Sequence, residues 1–323
     1  MTVELIPAPD RDRRPEVLAG ADALERLPAG TGGWLDLTDP TDGEIEAAAR
    51  RFGLHELVVE DIRRGGQRPK FEEYPAYGFL IFYPTRWEPK AATPESLECA
   101  LVVGPDCLLS FHRRPLWLRD DIIGAWRSNL DRIADPRAAL VHAWLDTVVD
   151  EYFDVVDRLA EEIGLVEETI LDSPGRPQLS RLFELRKVAF SLRRLFGAGR
   201  DALGLLVHRH RDILGAEAGY YLGDVYDHMI RVVESLELQH DLLVSLTEAY
   251  LSQISNRLNQ TMQTLTVLST VLMTAALIAG IYGMNYRLIP ADGESVFGFV
   301  FALGLMVLAG AGLFVVFRRR GWI

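Results

Sequence analysis

The sequence predicts an α+β cytoplasmic head, a long α-helical stalk and two C-terminal transmembrane helices. Three observations lead there. Of 34 basic and 46 acidic side chains, only Arg287, Asp292, Glu294, Arg318, Arg319 and Arg320 fall after residue 257. Two apolar stretches of bilayer-spanning length lie in that nearly uncharged tail. Short β-branched and aromatic runs separated by turn residues fill the first 135 positions, and helical periodicity takes over after Arg137. A charged body joined to an uncharged tail excludes a single compact globule, and a hydrophobic content of 49% excludes a disordered chain. The formal net charge of -12 argues against nucleic acid as a partner and favours cations.

The head, residues 1–135, reads as mixed α/β. Its start, MTVELIPAPDRDRR, has no apolar core between a basic beginning and a small-residue cleavage site, so no signal peptide is expected. Trp34-Leu35-Asp36-Leu37 is a short strand. Thr41 or Asp42 caps a helix through Arg51, with Glu44 and Glu46 at its positive end. Tyr77–Trp87 has strand composition. Leu97–Val103 and Cys107–His112 form a hairpin across Gly104-Pro105-Asp106. Strands first and helices later argue for an α+β head and against a doubly wound sheet. Cys99 and Cys107 cannot build a disulfide framework, which fits a reducing compartment.

The stalk region, residues 136–257, is helical. Pro174-Gly175-Arg176-Pro177 and Gly215–Gly219 interrupt it. From Tyr220 to Ile281 there is no proline, and no glycine between Gly223 and Gly280. As one helix this stretch spans on the order of 90 Å. Only about a third of that fits in a bilayer, so one rod is expected to couple the body to the first span.

Residues 258–323 form the membrane hairpin. No side chain from Leu258 to Tyr286 is formally charged, and Met262–Ile281 has the length of a span. The second run, Val296–Phe317, stops at Arg318-Arg319-Arg320. The positive-inside rule keeps this triple-Arg end cytoplasmic. Two spans then place both termini on the cytoplasmic side of the plasma membrane, with the loop 282–295 outside.

No enzyme signature is found. There is no G-x-x-x-x-G-K-[ST], and the three lysines, Lys70, Lys90 and Lys187, do not follow a glycine loop. H-E-x-x-H, Cys-x-x-Cys and G-x-S-x-G are absent. His208 and His210, two apart on a helix, point to different faces. Three features remain. Asn259, Met262, Thr266, Ser269, Met273, Ala276 and Gly280 recur at three- and four-residue steps, giving the first span a small or weakly polar side. Pore lining and helix–helix packing both fit that side. Tyr282-Gly283-Met284-Asn285 ends the span, where a ring of amides can hold a hydrated Mg²⁺ through its waters and a simple helix C-cap also fits. Asp227, Glu234, Asp241 and Glu248, seven apart with Asp224 beside their start, form an acidic line on the rod. A cation and a solvated face with Arg231 as partner both account for it.

Together these residues resemble the CorA family of divalent-cation channels. The resemblance rests on Tyr282-Gly283-Met284-Asn285 between two C-terminal spans with a basic end. It extends through Asp224-Val225-Tyr226-Asp227-His228, Tyr250-Leu251-Ser252 and Gln67-Arg68-Pro69-Lys70-Phe71-Glu72-Glu73-Tyr74, which covers most of the chain. It implies a homopentameric funnel in the lipid bilayer that admits Mg²⁺, with Co²⁺ or Ni²⁺ as further substrates. Gly283, Met284 and Asn285 would form the selectivity motif. Asn259, Met262, Leu265, Thr266, Ser269, Met273, Ala276 and Gly280 would line the pore. Asn285, Asp224, Asp227 and Glu248 would contact metal, with Asp224 in a regulatory site where cytosolic Mg²⁺ holds the channel shut.

The sequence departs from the family at several points. The family loop often continues Met-Pro-Glu-Leu where this chain has Leu288-Ile289-Pro290-Ala291, and Ala276 stands where a threonine is frequent. The acidic partner of Asp224 in the head is not placed; the stretch Pro84–Glu88 offers only Glu88. A Zn²⁺ transporter of the same superfamily and a membrane-anchored scaffold or sensor are the alternative readings.

Overall fold

The computed structural model describes residues 2–8, 18–19, 33–105, 107–172, 175–215, 218–284 and 296–322. Asp106, Pro174, Asn285 and the remaining loop positions through 295 therefore lie outside the described residues. The strands are β1 (Thr2–Ile6), β2 (Leu18–Ala19), β3 (Gly33–Thr38), β4 (Lys70–Tyr74), β5 (Tyr77–Phe82), β6 (Thr85–Arg86), β7 (Glu95–Ser96), β8 (Cys99–Val103) and β9 (Cys107–His112). The helices are α1 (Asp42–Phe52), α2 (Glu56–Arg64), α3 (Arg119–Asn129), α4 (Pro136–Asp172), α5 (Arg176–Leu214), α6 (Ala218–Tyr282) and α7 (Val296–Arg319). The chain divides into two compact units, Met1–Leu246 and Thr247–Ile323, and α6 contributes to both.

Seven strands form one sheet in the order β2-β1-β3-β9-β8-β5-β4. Its single parallel pair is β3 with β9, which brings Trp34 opposite Leu108 and Thr38 opposite His112. Helices cover both faces, which is why β5, β8 and β9 read as almost continuous apolar runs. Leu35, Leu37, Phe79, Ile81, Val102 and Leu109 face α1 and α2, where Ile45, Ala48, Val58 and Ile62 meet them. The alternate residues of β5 face α4: Phe82 stands edge-on to Trp144 at 6.2 Å and lies near-parallel to Tyr152 at 6.1 Å. Each such buried aromatic contributes about 1.5–3 kcal/mol through removal from water.

Local signals act as the sequence implied. Thr41 caps α1: its hydroxyl accepts from the Glu44 amide, and the Glu44 carboxylate receives the Thr41 amide at 2.7 Å. Gly53 closes the helix in the left-handed region at φ 63°. Tyr77–Trp87 is not one strand. It breaks after Phe82 because Pro84 cannot donate to a ladder, and Thr85–Arg86 pairs with Glu95–Ser96 in a separate ribbon. Thr2–Ile6, which carried no expectation, pairs antiparallel with β3.

The helical layer is held tightly onto the first part of α6. A Cβ on Gly204 of α5 would lie 3.1 Å from the Tyr226 ring, and one on Gly199 3.1 Å from the Met229 methyl. Gly204→Val is therefore expected to destabilise the protein by about 1–3 kcal/mol through overpacking. Thermal denaturation of the full chain in detergent, followed by circular dichroism, measures this; an unchanged midpoint would refute the close approach.

Candidate ion pathway and cation site

From Leu258 to Tyr282, α6 is one uninterrupted helix. Val267, Thr270, Val271, Thr274 and Ile278 are buried or half-buried and recur along one side. Asn259, Met262, Leu265, Thr266, Ser269, Met273, Ala276 and Gly280 are all exposed and lie along the other. The polar side is thus not what α6 uses to pack within its own chain. The Thr266 hydroxyl donates to the Met262 carbonyl at 2.7 Å, as Thr270 and Thr274 do one turn back. With that proton spent inside the helix, Thr266 presents acceptor lone pairs outward. Both α6 and α7 are long and apolar enough to cross a membrane.

At the outer end, the Gly283 amide donates to the Ala279 carbonyl at 2.8 Å and the Met284 amide to the Ile281 carbonyl at 3.3 Å. A Cβ on Gly283 would come 3.1 Å from the Ala279 oxygen, a tight contact at a backbone that is not left-handed. A groove of about 350 Å³ opens beside it between α6 and α7, lined by Ala279, Tyr282, Gly283, Gly298, Phe299 and Ala302. Tyr282 leans on Phe301 at 6.4 Å. Asn285 lies outside the described residues.

The acidic line on α6 is exposed at Asp224, Asp227, Glu234, Asp241 and Glu248. Among the described residues no ion pair joins Asp227 to Arg231. Asp241 meets the neighbouring His240 at 3.5 Å, and among the described residues the start of the line meets ligand groups from another helix. Asp146 and Asp150, one turn apart on α4, approach His228, and the ligand atoms of these three lie within 4.8 Å of one another. His228 Nδ1 is 4.0 Å from Asp146 and 3.9 Å from Asp150, while Nε2 is 4.0 Å from Asp224. These distances are too long for hydrogen bonds, and Nδ1 is buried without one. The spacing suits an ion between the groups better than direct pairing.

Electrostatics favours that reading. Burial raises the Asp146 carboxyl above its ordinary value; the His228 ring pulls it down and Asp224 adds to the rise. Burial also raises Asp150, with Asp146 as the next cause. Carboxyls that strain against their own charge gain most from a divalent cation. Two carboxylates and an imidazole fit Mg²⁺ that keeps several waters, and they fit Co²⁺ or Zn²⁺ directly.

A family model described as CorA-like Mg2+ transporter protein matches residues 30–319. The chain belongs to the CorA family. The "Cobalt/magnesium transport protein CorA" of Thermotoga maritima is 30% identical over 293 residues, covering 90% of this chain and 83% of that protein. The fold matches "The complete structure of CorA magnesium transporter from Methanocaldococcus jannaschii" with a TM-score of 0.80 at 21% identity, covering 100% of this chain and 99% of that one. It also matches the "ZntB cytoplasmic domain from Vibrio parahaemolyticus" with a TM-score of 0.61 at 14% identity, over 79% and 98% of the two chains. Membership in this family makes the protein a membrane transporter, with the fold class read from the sequence: an α/β head, a long helix and two apolar C-terminal helices.

Asp224 lies 4.0 Å from His228 Nε2, on the far side of the ring from the Asp146, Asp150 and His228 Nδ1 group, and Asp227 and Glu248 are exposed. Glu88 is engaged elsewhere, with Arg86 at 3.2 Å. Sequence reasoning missed Asp146, Asp150 and His228 as candidate ligands. The signal was there as two i,i+4 pairs, Asp146 with Asp150 and Asp224 with His228, each on one helical face. Elsewhere in the head, Ser110 and the His112 Nε2 both bond the Asp36 carboxylate, and all three are buried.

Because protons and metal compete for carboxyls with raised pKa, Mg²⁺ binding by the full chain should weaken as pH falls from neutrality toward the carboxylate range. Asp146→Asn should weaken it by about tenfold or more at the higher pH. Isothermal titration calorimetry in detergent reads both; pH-independent binding unaffected by the substitution would contradict the site.

Proposed function

We propose that the chain assembles as a homopentameric channel that passes hydrated Mg²⁺, and with it Co²⁺ or Ni²⁺, down the electrochemical gradient into the cytoplasm. The observation that carries this reading is the exposed small or polar side of α6, uncovered by α7 and ending at Gly283-Met284. A two-span chain cannot enclose a pathway alone, and copies of this side facing a common axis form one. Asn259, Thr266 and Ser269 then offer oxygens to the waters of the ion. Met262, Leu265 and Met273 form apolar rings that close the pore by dewetting. Ala276 and Gly280 leave width beneath the mouth. Asn285, with Gly283 and Met284, selects a hydrated ion by hydrogen bonding to its water shell, since Mg²⁺ dehydrates reluctantly. An inside-negative potential of 100 mV contributes about 4.6 kcal/mol per divalent ion. Both termini lie on the cytoplasmic side, in line with Arg318-Arg319-Arg320 at the end of α7.

Cytosolic Mg²⁺ at Asp224, Asp146, Asp150 and His228 holds the closed state, with Asp227 and Glu248 adding negative potential along the stalk. Losing the ion leaves uncompensated carboxylates and loosens the closed assembly, a feedback loop. A second reading, Zn²⁺ transport, has the imidazole of His228 and the ZntB-like fold of the head in its favour.

Asn285→Ala should abolish Mg²⁺ uptake into proteoliposomes, or reduce it by about tenfold or more, while leaving the assembly intact. Wild-type uptake by this variant would remove the amide ring from the account. Asp224→Lys should erase the protection from proteolysis that Mg²⁺ confers on the closed protein; retained protection would take Asp224 out of the sensor.

A further inference from the structure

We propose that the α4–α5 hairpin is an assembly surface for a second copy of the chain, in which the basic, aromatic edge of α5 docks on the acidic edge of its neighbour's α4. The two helices are oppositely charged: α4 carries ten acidic and two basic side chains, α5 nine basic and three acidic. On α4, Asp154, Asp157, Glu161, Leu165 and Glu168 are exposed along one line, opposite the buried Leu159, Ile163, Val166 and Ile170. On α5, Phe183, Lys187, Phe190 and Arg194 are exposed along one line, opposite the buried Leu182, Leu185, Ala189 and Leu192. The hairpin thus carries an acidic ridge on one outer edge and a basic one on the other.

Within a single copy most of both ridges is left without ion pairs among the described residues, Glu161 alone on the acidic line meeting Arg158 at 3.1 Å. Arg181 bridges to Glu162 at 2.7 Å, and Arg193 turns to Glu237 at 3.3 Å. Among the described residues no ion pair reaches Lys187, Arg186 or Arg194, nor Asp154, Asp157 or Glu168. Phe183 and Phe190 stand 52% and 60% exposed between those cations. Water is a poor environment for two phenyl rings on one helical line, and a partner carrying Leu165 among carboxylates complements both their charge and their apolarity.

A second copy explains both edges at once. A ring closes through a heterologous contact, in which each subunit offers two different patches, and the hairpin supplies such a pair. An anionic lipid surface would occupy the basic edge and leave the acidic edge repelling itself. The inference rests on the ring assembly proposed above. The hairpin's own register also selects a contact. Glu162 meets Arg181 and Tyr152 stacks on Phe196 at 4.0 Å, which sets Lys187 level with Asp157. Rotation about an axis along the hairpin preserves that level, so Lys187 of one copy faces Asp157 of the next.

The test uses the full chain in lipid nanodiscs. Lys187→Cys and Asp157→Cys variants are co-expressed and mildly oxidised, and native mass spectrometry counts the copies. A disulfide-linked dimer is expected from the mixture and not from either variant alone. Lys187→Glu should raise the dissociated fraction on the order of fivefold, and adding Asp157→Lys in the same chain should restore it. An intact oligomer with neither cross-link nor rescue overturns the docking surface while leaving the ring; a monomeric chain overturns the ring itself. Loss of wild-type binding to phosphatidylglycerol vesicles in Lys187→Glu, without any cross-link, assigns the basic edge to lipid and overturns the proposal.

Discussion

A divalent ion binds its water too strongly to enter hydrocarbon, and a charged side chain is scarcely better tolerated there. Helix α6 is organised around that constraint. Its first half bears Asp224, Asp227, Glu234, Asp241 and Glu248, and no charge follows Arg257 before the helix ends at Tyr282. What replaces charge in the apolar half is a line of hydroxyls, amides and small residues on the side that α7 does not cover. Thr266 shows the economy of this arrangement. Its hydroxyl satisfies its own donor on the preceding turn, so the helix survives in lipid while an acceptor oxygen stays available outward.

The head serves the stalk by fixing it. The sheet is covered on both faces, and the helical layer over β5 meets α6 at Gly199 and Gly204, where a Cβ would come 3.1 Å from the Met229 and Tyr226 side chains. Side chains on α4 therefore stand at a defined distance from side chains on α6. That is how two carboxylates and an imidazole from distant parts of the chain come to share one small volume. A cation there would bond α4 to α6, where the protein alone leaves three groups at the edge of contact. From the residues beside that cluster, α6 runs on as one helix to Tyr282.

Much of this was legible in the sequence because the signals are local. The charge step at residue 257, the Thr41-x-x-Glu44 box and the Gly283-Met284-Asn285 end of a span depend on neighbours a few positions away. The resemblance to the CorA family rested on the same short segments. What stayed hidden depends on tertiary contact. Thr2–Ile6 is a strand only because β3 offers an open edge, and Tyr77–Trp87 splits because Pro84 interrupts a ladder whose partner lies elsewhere. Asp146, Asp150 and His228 are ordinary residues until two helices bring them together. Asp227 carried the same sequence signal as Asp224, and both are exposed, but Asp224 has His228 one turn on, 4.0 Å away.

The central claim is that several copies of α6 enclose a water-filled path which a hydrated divalent ion crosses under voltage alone. The most direct test is ion flux into liposomes reconstituted with the purified chain, with Mg²⁺ and Zn²⁺ indicators inside and a potassium-diffusion potential imposed. The account expects Mg²⁺ influx that rises with inside-negative potential, is competed by Co²⁺ and moves no protons. Voltage-independent Zn²⁺ uptake accompanied by protons, or no metal flux in either direction, would contradict it.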